Sequence, residues 1–202
     1  MAEIKNVCVY CGSSPGSNRV YLEGAEAFGR ILAREKIGLV YGGGGIGLMG
    51  ALARACIVAG GRVTGIIPDF LVAREQALQV EHNIIVTKDM HERKRTMFEH
   101  ADAFVALPGG IGTLEELVEQ MTWVQLGRHK KPLLVFNQKG FWEPLLALLR
   151  HQQAEGFIHK GSFDFLVADR ADMIVPLLRD AARDLTRAEL HGPGAKLVAE
   201  EM

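Results

Sequence analysis

Short apolar runs alternate with longer amphipathic segments along almost the whole chain, and glycine-rich or small-residue loops separate the two. Ile4–Tyr10 reads as a strand, Cys11-Gly-Ser-Ser-Pro-Gly16 as a loop, and Val20–Glu35 as a helix. Ile37–Tyr41 is the next strand, followed by a glycine loop and a helix to about Ala59. Arg62–Ile67 and Asn83–Thr87 are further strands, with a short helix near Phe70–Glu75 between them. Asp89–His100 is helical, Ala103–Leu107 extended, Thr113–Leu126 helical, Pro132–Phe136 extended and Phe141–Glu155 helical. A weaker strand–helix pair follows at Phe165–Val167 and Asp172–Leu185. Strands that are apolar on both faces need cover on both faces, and helices between them force parallel pairing. The expected fold is therefore α/β: a doubly wound, mostly parallel sheet in a Rossmann-like αβα sandwich. Residues 1–186 read as one domain; from Arg187 the periodicity is lost, and 187–202 read as a polar tail.

Composition narrows the function. Lys and Arg number 23 against 24 Asp and Glu, so no global basic field attracts a nucleic-acid backbone or an anionic membrane. The N-terminus lacks a basic-then-apolar leader and no run is long enough to span a bilayer, which makes the cytoplasm the expected compartment. Three cysteines fit a reducing compartment. Cys8 and Cys11 read C-x-x-C, but on a strand residues three apart point to opposite faces, and two structural thiols are expected. The seven histidines show no ligand spacing, so no metal is expected, and most read as surface or helix-face residues. Neither a Gly-x-Ser-x-Gly elbow nor a Gly-Lys-Ser/Thr phosphate loop is present.

Two glycine-rich loops follow strands, and in a parallel sheet the carboxyl ends of strands share one edge. Gly45-x-Gly47-x-x-Gly50 matches the dinucleotide fingerprint, and Asp69 follows a strand at a distance suited to a ribose. A whole strand–helix unit precedes this loop, which a dinucleotide fold does not usually have. An NAD-dependent enzyme built on Gly45–Gly50 and a tight turn with close helix packing both remain open. Gly43, Gly44 and Ser14 are possible phosphate contacts, although a polar turn explains Ser13 and Ser14 equally well.

The second loop, Pro108-Gly-Gly-Ile-Gly-Thr-Leu-Glu-Glu116, leads into a helix with Thr113 as expected N-cap and Leu114, Glu115 and Glu116 in its first turn. A phosphate at such a start is favoured by free N–H groups. Thr113-x-x-Glu116 is also a capping box, which explains Glu116 without any chemistry. Two carboxylates there would repel a phosphate unless a cation stood close, and Asp89-Met-His-Glu-Arg-Lys-Arg95 supplies one. Asp89 is its expected N-cap with Glu92 as capping-box partner, and Met90, Arg93 and Lys94 share a face. A solvated basic face is the bland alternative.

These two segments, Met90-x-x-Arg-Lys94 and Pro108-Gly-Gly-x-Gly-Thr-x-x-Glu116, resemble the signature motifs of the LOG ("lonely guy") family of cytokinin riboside 5′-monophosphate phosphoribohydrolases. The similarity extends over about Lys5–Ile158 and takes in Val9-Tyr-Cys-Gly-Ser-Ser14, Gly65-Ile-Ile-Pro68 and Thr122-Trp-x-Gln-Leu-Gly127. It implies hydrolysis of a purine nucleoside 5′-monophosphate, AMP or an N6-modified AMP, to free base and ribose 5-phosphate. Carried over by motif, Arg93 and Glu116 are catalytic, while Met90, Lys94, Gly109, Gly110, Ile111, Gly112, Thr113, Leu114, Glu115 and Thr122 contact substrate. Glu75 matches a further acidic contact, although the chain reads Val72-Ala-Arg-Glu75 where relatives often have Pro before Arg-Glu, and Asp69 replaces a frequent basic residue. The resemblance also implies a homodimer with active sites near its interface and no cofactor. Some members carry the label lysine decarboxylase, but a pyridoxal-phosphate lysine with its ring-nitrogen partner is not evident here. A helix dipole would keep a first-turn Glu116 ionised. A nucleotide-binding or carrier module without chemistry is the remaining alternative.

Overall fold

Among the described residues, seven short strands pair through parallel ladders, in the order β4-β3-β2-β1-β5-β6-β7. They are β1 (Asn6–Tyr10), β2 (Gly38–Tyr41), β3 (Val63–Pro68), β4 (Asn83–Thr87), β5 (Ala103–Ala106), β6 (Leu133–Phe136) and β7 (Leu166–Ala168). The computed structural model describes residues 2–73, 83–159, 161 and 166–192. Intervening helices are α1 (Val20–Arg34), α2 (Gly47–Val58), α3 (Met90–His100), α4 (Ile111–Gln125), α5 (Glu143–Ala154), α6 (Ile174–Ala182) and α7 (Arg187–His191). The α/β sandwich expected from the alternating pattern is the fold observed. The short helix expected near Phe70–Glu75 is a single 3-10 turn at Asp69–Leu71, and residues 74 and 75 lie outside the described ones.

Because side chains alternate along a strand, the central strands feed two cores. Val7, Val9 and Cys11 point into the core shared with Phe28 and Leu32 of α1, Leu52 of α2 and Leu178 of α6. Cys8 and Tyr10 point the other way, into the core shared with Met97 of α3, Leu117 and Met121 of α4 and Trp142. Cys8 and Cys11 therefore sit on opposite faces of the sheet, and both thiols are free and buried. Each fully buried aliphatic side chain stabilises the fold by roughly 1.5–3 kcal/mol.

Topology decides where a ligand can bind. The chain runs outward from β1 through β2, β3 and β4, then returns to place β5 on the other side of β1. Val7 pairs with Leu39 of β2 on one side and with Ala103 of β5 on the other. The strand order reverses at the β1–β5 seam, and loops leaving the carboxyl ends of these two strands diverge to leave a crevice.

The amino edge of the sheet is closed by a polar lock. Asp102, just before β5, accepts the backbone N–H groups of Lys5 and Asn6 at 2.9 Å each. Its other oxygen lies 3.0 Å from Nε2 of the buried His191. Burial works against the Asp102 charge, but the His191 contact and the two N–H donors outweigh it and hold the carboxyl below its ordinary range. His191 belongs to α7, which corrects the expectation of a tail from Arg187. Thr186 and Glu189 form a reciprocal capping box, Leu190 is buried, and Lys130 N–H donates to Leu190 O. Residues 193–202 lie outside the described ones. His129 is a second histidine off the surface, its Nδ1 accepting the Lys131 N–H.

Asp102→Ala leaves two N–H groups and an imidazole without a partner and is expected to cost on the order of 3 kcal/mol in urea unfolding at pH 7. A depressed carboxyl stabilises above its unfolded value and loses that contribution as pH falls through the folded one, so the gap to wild type should narrow in acid. Equal stability of the two proteins at pH 7 would contradict the lock.

Candidate active site

The two loops at the β1–β5 seam hold each other. Leu107 N–H donates to Tyr10 O at 2.9 Å and Gly12 N–H to Pro108 O at 3.1 Å. The second loop then turns into α4, whose first residue is Ile111 and whose N-cap is Gly110. Thr113 is consequently not the cap. It is the third helical residue, buried against Gly109, where an added Cβ would lie 2.1 Å from Thr113 Oγ1. The capping-box reading of Thr113 and Glu116 fails with it, and Glu116 moves to the second turn. A helix starting on a glycine cap has no side chain to satisfy its first amides, so the N–H groups of residues 111–113 point at the crevice with the positive end of the helix dipole.

Opposite stands α3. Its N-cap Asp89 accepts the Glu92 N–H at 2.8 Å as expected, while the Glu92 carboxylate takes the N–H of Lys88 instead of closing a reciprocal box. One turn in, Arg93 and Glu116 are each only 8% exposed. Arg93 Nη1 donates to Glu116 Oε1 at 2.9 Å, and Arg93 Nε donates to the Ile66 carbonyl of β3 at 3.1 Å. Lys94 pairs with Glu115 at 2.6 Å and with Glu119 at 2.9 Å, and the two acidic partners outweigh partial burial to hold its pKa above the ordinary value. Arg93 and Lys94 are thus spent on the carboxylates of α4.

Burial pushes the Glu116 carboxyl up to about 6, against the pull of Arg93, and Glu115 adds to the rise. This corrects the expectation that the helix dipole alone keeps Glu116 ionised. In its second turn Glu116 is past the reach of that dipole, and desolvation dominates.

Arg93, Glu116, Thr113, Gly110, Ile111, Gly112 and Met90 line one cavity of about 330 Å³, whose wall also takes in Cys11, Ser13, Gly42, Met49 and Leu71. A second cavity of about 360 Å³ adjoins it across Gly12, Ser13 and Gly110. Gly109 and Ser14 line that one, beside Tyr21, Leu48 and Phe141. Six of the described residues expected at the site line neither cavity. Lys94 and Glu115 pair with each other, Leu114 packs on the core, and Thr122 is exposed with its hydroxyl donating to Val118 O. Gly43 and Gly44 are buried and line neither cavity; Gly43 is pressed against Ile67 of β3. Glu75 lies outside the described residues. Sequence reasoning missed Gly42, Cys11 and Leu71. Gly42 stands in a glycine run whose repetition hides which member faces the cavity.

The fingerprint loop has another use. The N–H groups of Leu48 and Met49, at the start of α2, both donate to Gly12 O, at 3.0 and 3.3 Å. Gly47, with φ of 58°, lies so close to the Ser13 backbone that an added Cβ would meet it at 2.3 Å. The start of α2 is taken by the β1 loop, which leaves no seat there for a pyrophosphate and removes the basis of the NAD alternative. Asp69, its expected ribose ligand, accepts the N–H of Phe70 on an exposed turn.

Among the described residues, no group of three His, Cys, Asp or Glu side chains is arranged to hold a metal ion. Among the described residues, no lysine lines either cavity. Lys131 is buried at the amino edge, its Nζ bonded to Phe98 O and 3.7 Å above the Phe98 ring.

A family model described as "Possible lysine decarboxylase" matches residues 49–178. The chain is 46% identical over 157 residues to a cytokinin riboside 5′-monophosphate phosphoribohydrolase of Rhodococcoides fascians, covering 76% of this chain and 78% of that protein. It is 43% identical over 180 residues to the cytokinin riboside 5′-monophosphate phosphoribohydrolase LOG1 of Arabidopsis thaliana, covering 89% and 84%. Among solved structures it resembles the Moco carrier protein of Chlamydomonas reinhardtii with a TM-score of 0.67 at 18% identity, covering 91% of this chain and 100% of that one. A molybdenum cofactor binding protein of Rippkaea orientalis gives 0.66 at 20%, covering 89% and 98%. At such identities the two structures speak for the fold alone.

Carbon-detected NMR of the glutamate carboxyls should find Glu116 titrating at about 6, and Arg93→Ala should raise that midpoint by removing the nearest cation. An unmoved midpoint in the variant would overturn the electrostatic assignment.

Proposed function

The chain belongs to the LOG family of cytokinin riboside 5′-monophosphate phosphoribohydrolases, and from that premise we propose how its seam cavity hydrolyses the N-glycosidic bond of a purine nucleoside 5′-monophosphate. The substrate is AMP or an N6-modified AMP, and the products are the free base and ribose 5-phosphate. One observation carries the assignment of the site: a buried Arg93–Glu116 pair lies in the same cavity as the uncapped start of α4.

The 5′-phosphate sits at the amides of residues 111–113, where the dipole favours an anion, and Ser13 and Ser14 offer hydroxyls across the seam. Its binding energy fixes the scissile bond. Cleavage develops positive charge on the ribosyl ring and negative charge on the leaving base. Glu116, ionised, faces the ring, stabilises the cation and orients the attacking water or takes its proton. Arg93 keeps Glu116 ionised and presents its remaining N–H groups to substrate. Lys94 and Glu115 act from outside the cavity by balancing the charge of α4.

We also propose a homodimer. The outer face of α4 exposes Ile111 (82%) and Val118 (41%), with Thr122 beside them and the C-cap Leu126 (70%) at its end. Burial of that face against a second copy would account for the apolar exposure and bring Thr122 toward a partner's cavity. The assignment of one catalytic domain, extended past residue 186 to take in α7, goes with this reading. A cytoplasmic location suits the three free thiols, and no helix among the described residues is long and apolar enough to cross a membrane.

Incubation with AMP and with N6-isopentenyl-AMP, followed by chromatography, should show free base and ribose 5-phosphate. Binding without release would support a carrier instead. Glu116→Gln and Arg93→Ala should each lower kcat/KM by at least about 100-fold with the circular-dichroism spectrum unchanged. Near-normal turnover in either removes the site assignment. Because Glu116 acts as the carboxylate and its pKa is raised, the rate should fall as pH drops through about 6. Light scattering should give twice the chain mass, and a monomer would contradict the dimer.

A further inference from the structure

We propose that Gly42 is a positioning residue of the active site: its missing side chain forms the slot that holds the Arg93 guanidinium in register with Glu116. Gly42 follows β2 at the carboxyl edge and lines the catalytic cavity. A Cβ added there would lie 2.3 Å from Arg93 Nη2 and 3.0 Å from Met49 Sδ, with no backbone atom among its nearest neighbours. The guanidinium is therefore clamped on three sides. Nε is fixed by the Ile66 carbonyl, Nη1 by Glu116, and Nη2 lies against the Gly42 backbone.

The need for glycine here is not conformational. Gly42 is absent from the residues with positive φ, whereas Gly43 beside it has φ of 77°. An alanine fits the backbone at 42 and conflicts only with the far ends of two flexible side chains. Those ends can move, so the substitution should be tolerated by the fold. Moving Arg93 is another matter. The guanidinium is planar with rigidly spaced donors, and displacing Nη2 must break the line from Nη1 to Glu116 or from Nε to Ile66. The fold can absorb this, but the geometry of the reacting groups cannot. A misplacement on the scale of an ångström is enough to slow an enzyme by orders of magnitude.

Two measurements test this, and only the first rests on the proposed hydrolysis. Gly42→Ala should lower kcat by about 10- to 100-fold with a smaller change in KM. The acid limb of its pH–rate profile should move to higher pH, because a displaced Arg93 no longer opposes the burial of Glu116. A merely structural role would reduce the active fraction and leave that limb in place. The second is a thermal-unfolding cycle of wild type, Gly42→Ala, Arg93→Ala and the double variant. Gly42→Ala should lower Tm when Arg93 is present and change it little on the Arg93→Ala background, where the slot is empty. Equal Tm changes on both backgrounds, or a folded Gly42→Ala enzyme with unchanged kcat and acid limb, overturns the inference. Should the wild-type protein release no base, the functional reading fails while the unfolding cycle still decides whether Gly42 holds Arg93.

Discussion

An arginine and a glutamate, each almost wholly buried and 2.9 Å apart, tie together elements that the chain presents far from one another. Arg93 reaches from α3 to α4 through Glu116 and to β3 through Ile66 O. Breaking one partner of a buried ion pair typically costs about 3–5 kcal/mol, because a lone charge stays behind without water. Such a pair adds little stability over an apolar substitute. Its presence at the strand-order reversal is better understood as chemistry: the pair keeps a carboxylate desolvated yet ionised beside a helix start that attracts anions. The positive charge on α3 serves the glutamates of α4 first and the ligand second.

The α/β architecture was legible because alternation of period two and period three to four is written into each segment separately. The position of the cavity was legible once both glycine loops were known to follow parallel strands. What stayed hidden depends on contacts between segments. The spacing of Thr113 and Glu116 fits a capping box, yet the cap of α4 lies three residues earlier, at Gly110, because Gly109 lets the loop fold down onto Thr113. The fingerprint Gly45–Gly50 has the sequence of a phosphate cradle. Only the fold shows that the Gly12 carbonyl already takes two of its amides. Buried histidines are equally opaque: His191 sits in a polar stretch, and its partner Asp102 lies 89 residues earlier.

The two edges of the sheet carry opposite designs. At the amino edge, Asp102 has every contact satisfied by protein, with two N–H groups and an imidazole on its oxygens. Its carboxyl is held below the usual range. At the carboxyl edge, Glu116 shares a cavity with one guanidinium and its carboxyl is raised to about 6. Both are buried acids near β5, and hydrogen-bond donors separate them. Full satisfaction makes a lock, while partial satisfaction leaves a group able to act on something else.

The pairing of β1 with both β2 and β5 also orders the assembly of the molecule in time. β1 meets β2 across a single helix, but meets β5 only after β2, β3, β4 and α3 have been made. A chain growing from its N-terminus can close half of the sheet from near neighbours, whereas the seam is a long-range closure whose loop entropy is repaid late. Neither wall of the cavity exists before that closure: Gly12 has no Pro108 to bond, and Arg93 waits for Glu116 with its charge in water. The cavity is thus a product of that long-range closure, and β6 and β7 only extend the sheet beyond it.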